Sequence, residues 1–204
     1  MIALTYDEGI QLVRIARGIV EGLFQVQQPF SENFRRSSLD AGVFVTIHDC
    51  STSGNSLRGC IGFPIPNGKF YSLLAEAAIA AATQDPRFKP ISEDELDKII
   101  FEVSILSQPE HLTVEKPVEY LGKVRIGVDG LMFSWGNHSS LLLPQVAVEW
   151  GWNPEEYLCN LCSKAGLARN MWMADGAKIY KFTSLIYRER QPRGEVYQDN
   201  ILGL

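Results

Sequence analysis

Two β-rich runs separated by a polar stretch constrain the fold of this chain more than any other feature. Residues 42–48 read Gly-Val-Phe-Val-Thr-Ile-His, and residues 57–63 read Leu-Arg-Gly-Cys-Ile-Gly-Phe. The polar residues 49–56 between them contain Gly54-Asn55, a pair that is typical of turns. We therefore expect an antiparallel hairpin whose second arm is the run 57–63.

The other segments alternate between helical and extended patterns. Apolar residues recur at helical spacing over residues 7–28, and an alanine-rich run over 71–84 favours a helix that packs closely on a sheet. Further predicted elements are a short capped helix over 92–98, a strand over 99–106, a hairpin of 124–128 with 131–135, a helix over 153–165 and a final strand over 177–188. The pattern indicates an α+β fold with a mostly antiparallel sheet flanked by helices. We expect a large lobe, a smaller lobe drawn from about residues 108–150 or from the C-terminal part, a cleft between them, and a polar tail over 191–204.

Composition and charge narrow the classes of function. The 204 residues are 46% hydrophobic and 21% charged, as in soluble globular domains. The formal net charge of −5 disfavours nucleic acid as a partner, because a phosphate backbone would be repelled on average. No apolar run approaches the ~18–20 residues that span a bilayer, and the N-terminus lacks the pattern of a signal peptide. We expect a cytoplasmic protein, monomeric or homodimeric, with no membrane partner and with its four cysteines as free thiols.

Residues 57–62 combine an arginine and a thiol with two glycines, and we place the candidate site there. Gly59 and Gly62 carry no Cβ, so a ligand or another stretch of backbone can approach closely, which makes both candidate substrate-binding positions. Arg58 and Cys60 are two residues apart in an extended run, so we expect them to bracket a ligand from one face. Arg58 suits a carboxylate or phosphate, and Cys60 is a candidate nucleophile if neighbouring groups lower its pKa. The alternative is that Cys60 is a small core residue.

The segment Asp85-Pro86-Arg87 follows the alanine-rich run and supplies two more candidate substrate-binding residues. Proline ends the helix and stiffens a short loop that would present Asp85 and Arg87 at the surface, where binding groups commonly lie. The alternative is a simple helix stop, in which both side chains pair with neighbours and hold the loop. The sequence favours neither interpretation over the other.

Glu102 and Gln145 complete the set of candidate site residues. Glu102 is predicted to contact Arg58 if their strands adjoin, either as a catalytic acid or base or simply as the partner that neutralises the arginine. Gln145 follows a proline and an apolar run, and its amide is predicted either to line the cleft or to satisfy backbone groups of its own loop.

A cysteine nucleophile usually needs a base, and the histidines supply little support for one. His48 ends the first arm of the hairpin, where pairing places it near Leu57 rather than beside Cys60. Cys159 and Cys162 form a C-x-x-C inside a predicted helix, with no second pair at similar spacing, so we expect core packing rather than zinc or redox chemistry. The chain has no phosphate-loop, dinucleotide or zincin motif, and we expect neither a cofactor nor a metal.

Several of these segments together resemble one protein family. The run Leu57-Arg58-Gly59-Cys60-Ile61-Gly62 is similar to the signature hexapeptide of the AMMECR-type domain family. Further matching segments, in the family's order over about residues 5–190, are 42–46, Asp85-Pro86-Arg87-Phe88 with Pro90, 102–104, 142–147, Gly151-Trp152 and 164–167. The resemblance implies a single AMMECR-type domain over residues 1–204, with a compact α+β fold and a cleft near the hexapeptide. Because such domains occur fused to Memo-like domains and beside radical S-adenosylmethionine proteins, it also implies a Memo-like or radical-SAM partner in a modification system.

Two functions are compatible with these expectations. In the first, the chain is an enzyme that acts on a small anionic or peptide-like substrate, with Arg58 as the anchor and Cys60 as a nucleophile or redox group. In the second, it is a non-catalytic module whose cleft binds a ligand or a protein partner. The reactivity of Cys60 discriminates between them, because a hyper-reactive thiol supports the enzyme and an ordinary one supports binding.

Overall fold

Nine strands and five α-helices are formed by the residues that the computed structural model describes, which are 2–24, 39–51 and 54–199. The strands are β1 (Gly42–Asp49), β2 (Ser56–Phe63), β3 (Ile99–Leu106), β4 (Glu110–His111), β5 (Gly130–Trp135), β6 (His138–Leu142), β7 (Lys178–Phe182), β8 (Ser184–Glu189) and β9 (Val196–Asp199). The helices are α1 (Tyr6–Glu21), α2 (Phe70–Thr83), α3 (Tyr120–Lys123), α4 (Pro144–Glu149) and α5 (Pro154–Lys164). The fold is α+β.

The chain divides into two compact units, of which the first contains the predicted hairpin. This unit comprises Met1–Leu106 and Leu185–Asp199, and its sheet has the strand order β2-β1-β3-β8-β9. β1 pairs antiparallel with both β2 and β3. In the hairpin, His48 lies opposite Leu57 and Thr46 lies opposite Cys60, so the predicted position of the histidine is confirmed.

Side chains alternate along each strand, so the sheet of the first unit has two different faces. One of them, which we call the core face, carries the fully buried Val43, Val45 and Ile47 of β1. Helices α1 and α2 pack against this face. α1 begins at Thr5, whose side chain and that of Glu8 form a reciprocal capping box, and the small alanines of α2 allow it to lie close to the sheet.

The second unit comprises Ser107–Ser184 and has its own four-stranded sheet, in the order β4-β7-β5-β6. Helix α5 packs on β5 and β6; the Asn153 side chain caps its start, and Glu156 reaches back to the cap. Tyr157 is fully buried in this unit and donates its hydroxyl to the carbonyl of Leu142, with 3.0 Å between the oxygens. The two units therefore have separate hydrophobic cores.

Three predicted elements differ from those observed. Residues 124–128 form no strand, because the carboxylate of Asp129 accepts the Arg125 backbone N–H and holds the segment as a turn; β5 pairs instead with β6 and β7. The final strand predicted over 177–188 is two strands in different sheets, β7 and β8. The short helix predicted after Ser92 is only a 3-10 turn, Glu93–Glu95, although its capping box is present.

The chain ends are described only in part. The first predicted helix extends to Glu21, and its predicted continuation over 25–28 lies outside the described residues, as do 200–204 of the polar tail. Residues 196–199 of that tail form β9, the edge strand beside β8. None of the helices in the described ranges combines the length and the apolar character that crossing a bilayer requires.

Candidate functional site

The second face of the first unit's sheet carries Cys60 together with a group of polar side chains. On β1, Val45 and Ile47 point to the core face. Thr46 and His48, the alternate residues of the same strand, therefore point to the opposite face. The cross-strand register assigns Cys60, Glu102 and Ser104 to what we call the Cys60 face, and the contact of Arg188 with Glu102 adds Arg188 and, through the register of β8 with β9, Tyr197 and Asp199. The members of this face are thus Cys60 on β2, Thr46 and His48 on β1, Glu102 and Ser104 on β3, Arg188 on β8, and Tyr197 and Asp199 on β9.

Cys60 is partly buried, and its thiol contacts the neighbouring strand. The hydroxyl of Thr46 donates to Sγ of Cys60, with 3.3 Å between the two atoms. Burial raises the pKa of Cys60, the hydrogen bond from Thr46 opposes this rise, and the charge of Glu102 adds to it. The sequence-based hypothesis required a lowered pKa, so the resting thiol is not activated in the way that it supposed.

Asp85 and Arg87 act together on the backbone of Cys60. The Asp85 carboxylate accepts the Cys60 N–H at 2.9 Å, and Nη2 of Arg87 lies 3.5 Å from the Cys60 carbonyl oxygen. Both backbone groups therefore point away from β1, at the outer edge of the sheet. Thr46 and Cys60 then form a non-hydrogen-bonded pair, the type in which opposite side chains lie closer together.

The exposure of Asp85 differs from the prediction that it lies at the surface. It is 4% exposed, whereas the Arg87 side chain is 54% exposed and binds the carboxylate through Nε and Nη2 at 2.9 and 2.7 Å. The Arg87 guanidinium and the backbone N–H donors keep the pKa of Asp85 far below its usual range. These contacts match the alternative interpretation, in which the two side chains hold the loop, and they cover the backbone of an edge strand.

Arg58 is bound by a carboxylate from its own unit. A bulge separates the pairs His48–Leu57 and Ile47–Gly59, so the strict alternation assumed for Arg58 and Cys60 is broken at Arg58. Its Nε and Nη2 donate to the two oxygens of Glu95 at 2.7 and 3.1 Å. This hydrogen bonding lowers the pKa of Glu95 to about 2.

The condition on which a contact between Arg58 and Glu102 was predicted, that their strands adjoin, is not met. β1 lies between their strands, so β2 and β3 do not adjoin. Sequence periodicity can predict that three segments are strands, but it does not state which of them lies in the middle.

The two glycines of the hexapeptide are required for packing. A Cβ on Gly59 would lie 2.1 Å from the carbonyl oxygen of Ala81 on α2, and one on Gly62 would lie 2.3 Å from that of Val43. The space that each glycine leaves is thus filled by the protein's own backbone, as one of the two sequence-based interpretations allowed.

Glu102 lies between two potential cations on the Cys60 face. Its Oε2 is 3.5 Å from His48 Nε2 and 3.6 Å from Arg188 Nη1, and its side chain is 8% exposed. Arg188 also pairs with Asp199 at 2.8 Å and donates from Nη2 to Tyr197 Oη at 2.8 Å. Three members of this face, Arg188, Tyr197 and Asp199, were not among the site residues predicted from the sequence. The alternation of side chains along β8 could have identified Arg188. Tyr187 is buried in the core, so Arg188 must point to the opposite face.

Two polar atoms near Glu102 have no hydrogen-bond partner among the described residues. They are Nε2 of His48 and Oγ of Ser104, and both are buried. Ser104 is the next residue of β3 on the same face, and it has no exposed surface at all. Unpaired buried polar atoms are rare in folded proteins, and those found usually have a functional explanation or an unseen water.

Gln145 and the C-x-x-C pair belong to the second unit. Gln145 lies in the first turn of α4, and its Oε1 is buried without a hydrogen-bond partner in the described part of the chain. Cys162 is fully buried in the core of this unit, and burial raises its pKa to about 11. Cys159 packs against the same core, as the sequence predicted. All four cysteines are free thiols.

The Cys60 face thus presents a neutral thiol and a partly hydrogen-bonded cluster of charges. It can accept protons or N–H donors at Glu102 and Asp199, and it can donate from Arg188, Thr46 and Tyr197. Over residues 2–24, 39–51 and 54–199, the chain has no group of three or more His, Cys, Asp or Glu side chains suited to a metal ion.

Comparison with known proteins extends the similarity to almost the whole chain. Protein MJ0810 of Methanocaldococcus jannaschii is 47% identical over 206 aligned positions, covering 99% of this chain and 100% of the relative. Protein PYRAB00100 of Pyrococcus abyssi is 40% identical, with coverage of 99% and 100%. The crystal structure of protein PH0010 from Pyrococcus horikoshii matches with a TM-score of 0.89 and 39% identity over 97% of this chain and 98% of that one. The family model described as AMMECR1 matches residues 13–187, and the chain belongs to this family.

Proposed function

We propose that the first unit binds a small peptide-like molecule on the Cys60 face without covalent chemistry. The observation that carries this proposal is the incomplete hydrogen bonding beside Glu102, where His48 Nε2 and Ser104 Oγ are buried and unpaired among the described residues. Burying a polar group without a partner costs about 1–3 kcal/mol. A ligand N–H or C=O group that lies beside the partly exposed His48 and Glu102 would give Nε2 of His48 its missing partner, which supports recognition of an amide or amine.

The charges of this face favour a zwitterionic ligand. Glu102 and Asp199 are acidic, and Arg188 lies between them with 28% of its side chain exposed. An amino group of the ligand would be attracted to the carboxylates, while a ligand carboxylate can reach the exposed part of the guanidinium. A peptide terminus or a short peptide carries both kinds of group.

The arginines of the two motifs do not favour an anionic substrate. Arg58 is bound at both ends of its fork by Glu95, and Arg87 is bound in the same manner by Asp85. An anion that approached either arginine through the fork of Nε and Nη2 would have to displace the carboxylate already bound there. Of the two substrate classes expected from the sequence, the peptide-like one therefore has the better support.

An enzyme with Cys60 as nucleophile is the second candidate, and one geometric observation favours it. Cys60 and Glu102 lie on either side of Thr46 on three neighbouring strands. Two strand spacings separate them, about 10 Å, which leaves room for a small substrate between thiol and carboxylate. In such an enzyme Glu102 would act as acid or base, as predicted. The raised pKa of Cys60 opposes this candidate, because the thiol is protonated near neutral pH.

The binding proposal is tested with dipeptides that carry a free amino terminus, using thermal unfolding of the parent, Glu102→Gln and Glu76→Gln. Glu76 is an exposed carboxylate on α2 and serves as the matched control. We expect a saturable rise in Tm for the parent and the control, and at least a tenfold weaker apparent affinity for Glu102→Gln. N-acetylated dipeptides should bind more weakly. A rise of equal size in all three proteins would contradict the proposal.

The rate of alkylation of Cys60 decides between the two candidates. Iodoacetamide modification is followed from pH 6 to 10 by mass spectrometry of the Cys60 peptide, with the urea-unfolded chain as the reference. We expect the folded thiol to react more slowly than the unfolded one at pH 7, since burial raises its pKa. A faster reaction at pH 7, with an inflection near neutrality, would favour the enzyme. A Memo-like or radical-SAM partner stays a prediction from the family resemblance.

A further inference from the structure

A surface pocket lies on the opposite side of the first unit's sheet, between α1 and the turn that precedes β9. Its volume is about 300 Å³, which is at the small end of the range for ligand sites. The charged residues that line it are Arg14, Arg17, Glu21, Glu189 and Arg193. None of these side chains belongs to the Cys60 face, so the pocket is independent of the function proposed above.

The floor of the pocket is a closed ion pair. Arg17 donates through Nε and Nη2 to the two oxygens of Glu189, both at 2.6 Å. Its remaining N–H groups donate to Glu21, to the Leu96 carbonyl and to the Ile99 carbonyl. All five donors of this guanidinium are therefore used, and Arg17 offers no hydrogen bond to a ligand.

Free donors come from the two other arginines. Arg14 is exposed and forms no hydrogen bond or ion pair with any residue that the structure describes. Arg193 is held by Glu21, which accepts from Nε at 2.7 Å, and by Asp97, which accepts from Nη1. Its Nη2 has no partner in the described ranges. The guanidinium is thus fixed in place while one nitrogen remains available.

The backbone conformation of Arg193 indicates that surrounding contacts hold this residue in place. Its φ of 55° lies in the left-handed region, which is unfavourable for residues other than glycine, asparagine and aspartate. Such strain persists when surrounding contacts hold it, here the ion pairs to Glu21 and Asp97, and it occurs often at ligand sites. With three arginines against two glutamates, the lining carries one net positive charge, although the chain as a whole carries −5.

We propose that this pocket binds a small molecule through an oxyanion, a carboxylate or a phosphate group, held between the Arg14 guanidinium and Nη2 of Arg193. Glu189 does not repel the anion strongly, because Arg17 and the Phe101 N–H neutralise and bind its carboxylate. Glu21 is likewise shared between Arg17 and Arg193. The two free donor groups, both on residues that line the pocket, then supply N–H donors and positive charge for the oxygens of one anionic group.

The test measures thermal unfolding in sodium phosphate and in sodium acetate, each against sodium chloride at the same ionic strength. The proteins are the parent, Arg14→Gln, and Arg190→Gln as a matched control, since Arg190 is an exposed arginine that does not line the pocket. Arg14 forms no hydrogen bond or ion pair within the described residues, so the variant should fold as the parent does.

We expect a saturable rise in Tm for the parent and for Arg190→Gln in at least one of the two salts, and the salt that acts identifies the anionic group. Arg14→Gln should show at least a tenfold weaker apparent affinity. No saturable rise in the parent would overturn the proposal. So would a rise that Arg14→Gln retains, or one that both variants lose.

Discussion

The two faces of the first unit's sheet each bury a carboxylate next to an arginine, but the surroundings of the two pairs differ. On the core face, Glu189 accepts three hydrogen bonds, two from Arg17 and one from the Phe101 N–H. On the Cys60 face, the contacts of Glu102 with described residues are two ion pairs longer than 3.4 Å, to His48 and Arg188.

The difference separates a structural charge pair from a candidate binding site. A buried charge is tolerated when hydrogen bonds replace its lost hydration, and the pair of Glu189 with Arg17 meets this condition. Glu102 does not have such bonds in the described part of the chain, and the unpaired His48 Nε2 and Ser104 Oγ lie on the same face. A face whose hydrogen bonding is incomplete in this way can bind a ligand that supplies the missing partners. Each experiment below would sharpen this contrast or remove it.

The largest effect is expected for Glu189→Gln. The substitution leaves the buried Arg17 charge without its anionic partner, and breaking a buried pair from one side costs about 3–5 kcal/mol. The free energy of unfolding, measured by urea denaturation, should fall by that amount. The control is Glu195→Gln, which removes an exposed pair with Arg190 and should cost at most about 1 kcal/mol. If the two variants are equally stable, the core-face pair is not structural.

The second-largest loss of stability is expected for Asp85→Asn. It tests whether the Asp85 carboxylate is structural, as that of Glu189 is. Asp85 is buried and binds both the Cys60 N–H and Arg87, so at pH 7 we expect the amide to cost about 1–3 kcal/mol. The exposed Asp175→Asn serves as the control and should leave the stability unchanged.

The pH dependence of the Asp85 effect follows from the direction of its pKa. The folded-state pKa lies well below the unfolded value of about 3.9, so the carboxylate stabilises the fold above that value. This contribution is lost as pH falls through the unfolded pKa towards the lowered folded one. The difference in stability between the parent and Asp85→Asn should therefore shrink between about pH 5 and pH 3. A constant difference over this range would show that the ionised form is not what stabilises the loop.

Sequence reasoning was sufficient where the contacts are local. The hairpin and its register at His48 depend on residues close together in the chain, and both were predicted correctly. Arg58 was assigned the wrong partner because its contact depends on strand order and on a single bulge. Neither feature leaves a periodic pattern in the sequence.

The same limit applies to the Cys60 face. Glu102 was identified from its place on a strand, but Arg188 was not identified, because its partner lies on a strand distant in the sequence. Residues 188–193 form a basic cluster that Glu189 interrupts. In the structure, Arg188 points to one face of the sheet, while Glu189 points to the other, where it binds Arg17. Alternation in β8 could have separated the two, had that segment been recognised as starting a new strand.

A smaller effect on stability is expected for Glu102→Gln, which changes the carboxylate on the Cys60 face. No hydrogen bond to Glu102 is lost within the described residues, and Arg188 retains Asp199 and Tyr197. We expect the free energy of unfolding to change by at most about 1 kcal/mol at pH 7, since a neutral side chain of the same shape removes the cost of burying a charge. A loss of 3 kcal/mol or more on urea denaturation, about the size expected for Glu189→Gln, would place Glu102 in the structural class.

The smallest effect on stability is expected for Ser104→Ala, which removes a buried hydroxyl from the Cys60 face. The hydroxyl is buried and has no partner within residues 2–24, 39–51 and 54–199, so its removal should leave stability within about 0.5 kcal/mol of the parent or raise it. Ser140→Ala is the matched control, because the Ser140 hydroxyl donates to the Leu161 carbonyl at 2.6 Å and its loss should cost about 1 kcal/mol. Thermal and urea unfolding of both variants give the two values. Equal losses would mean that Ser104 is already satisfied, by an ordered water for example, and the argument that the face awaits a ligand would then rest on His48 alone.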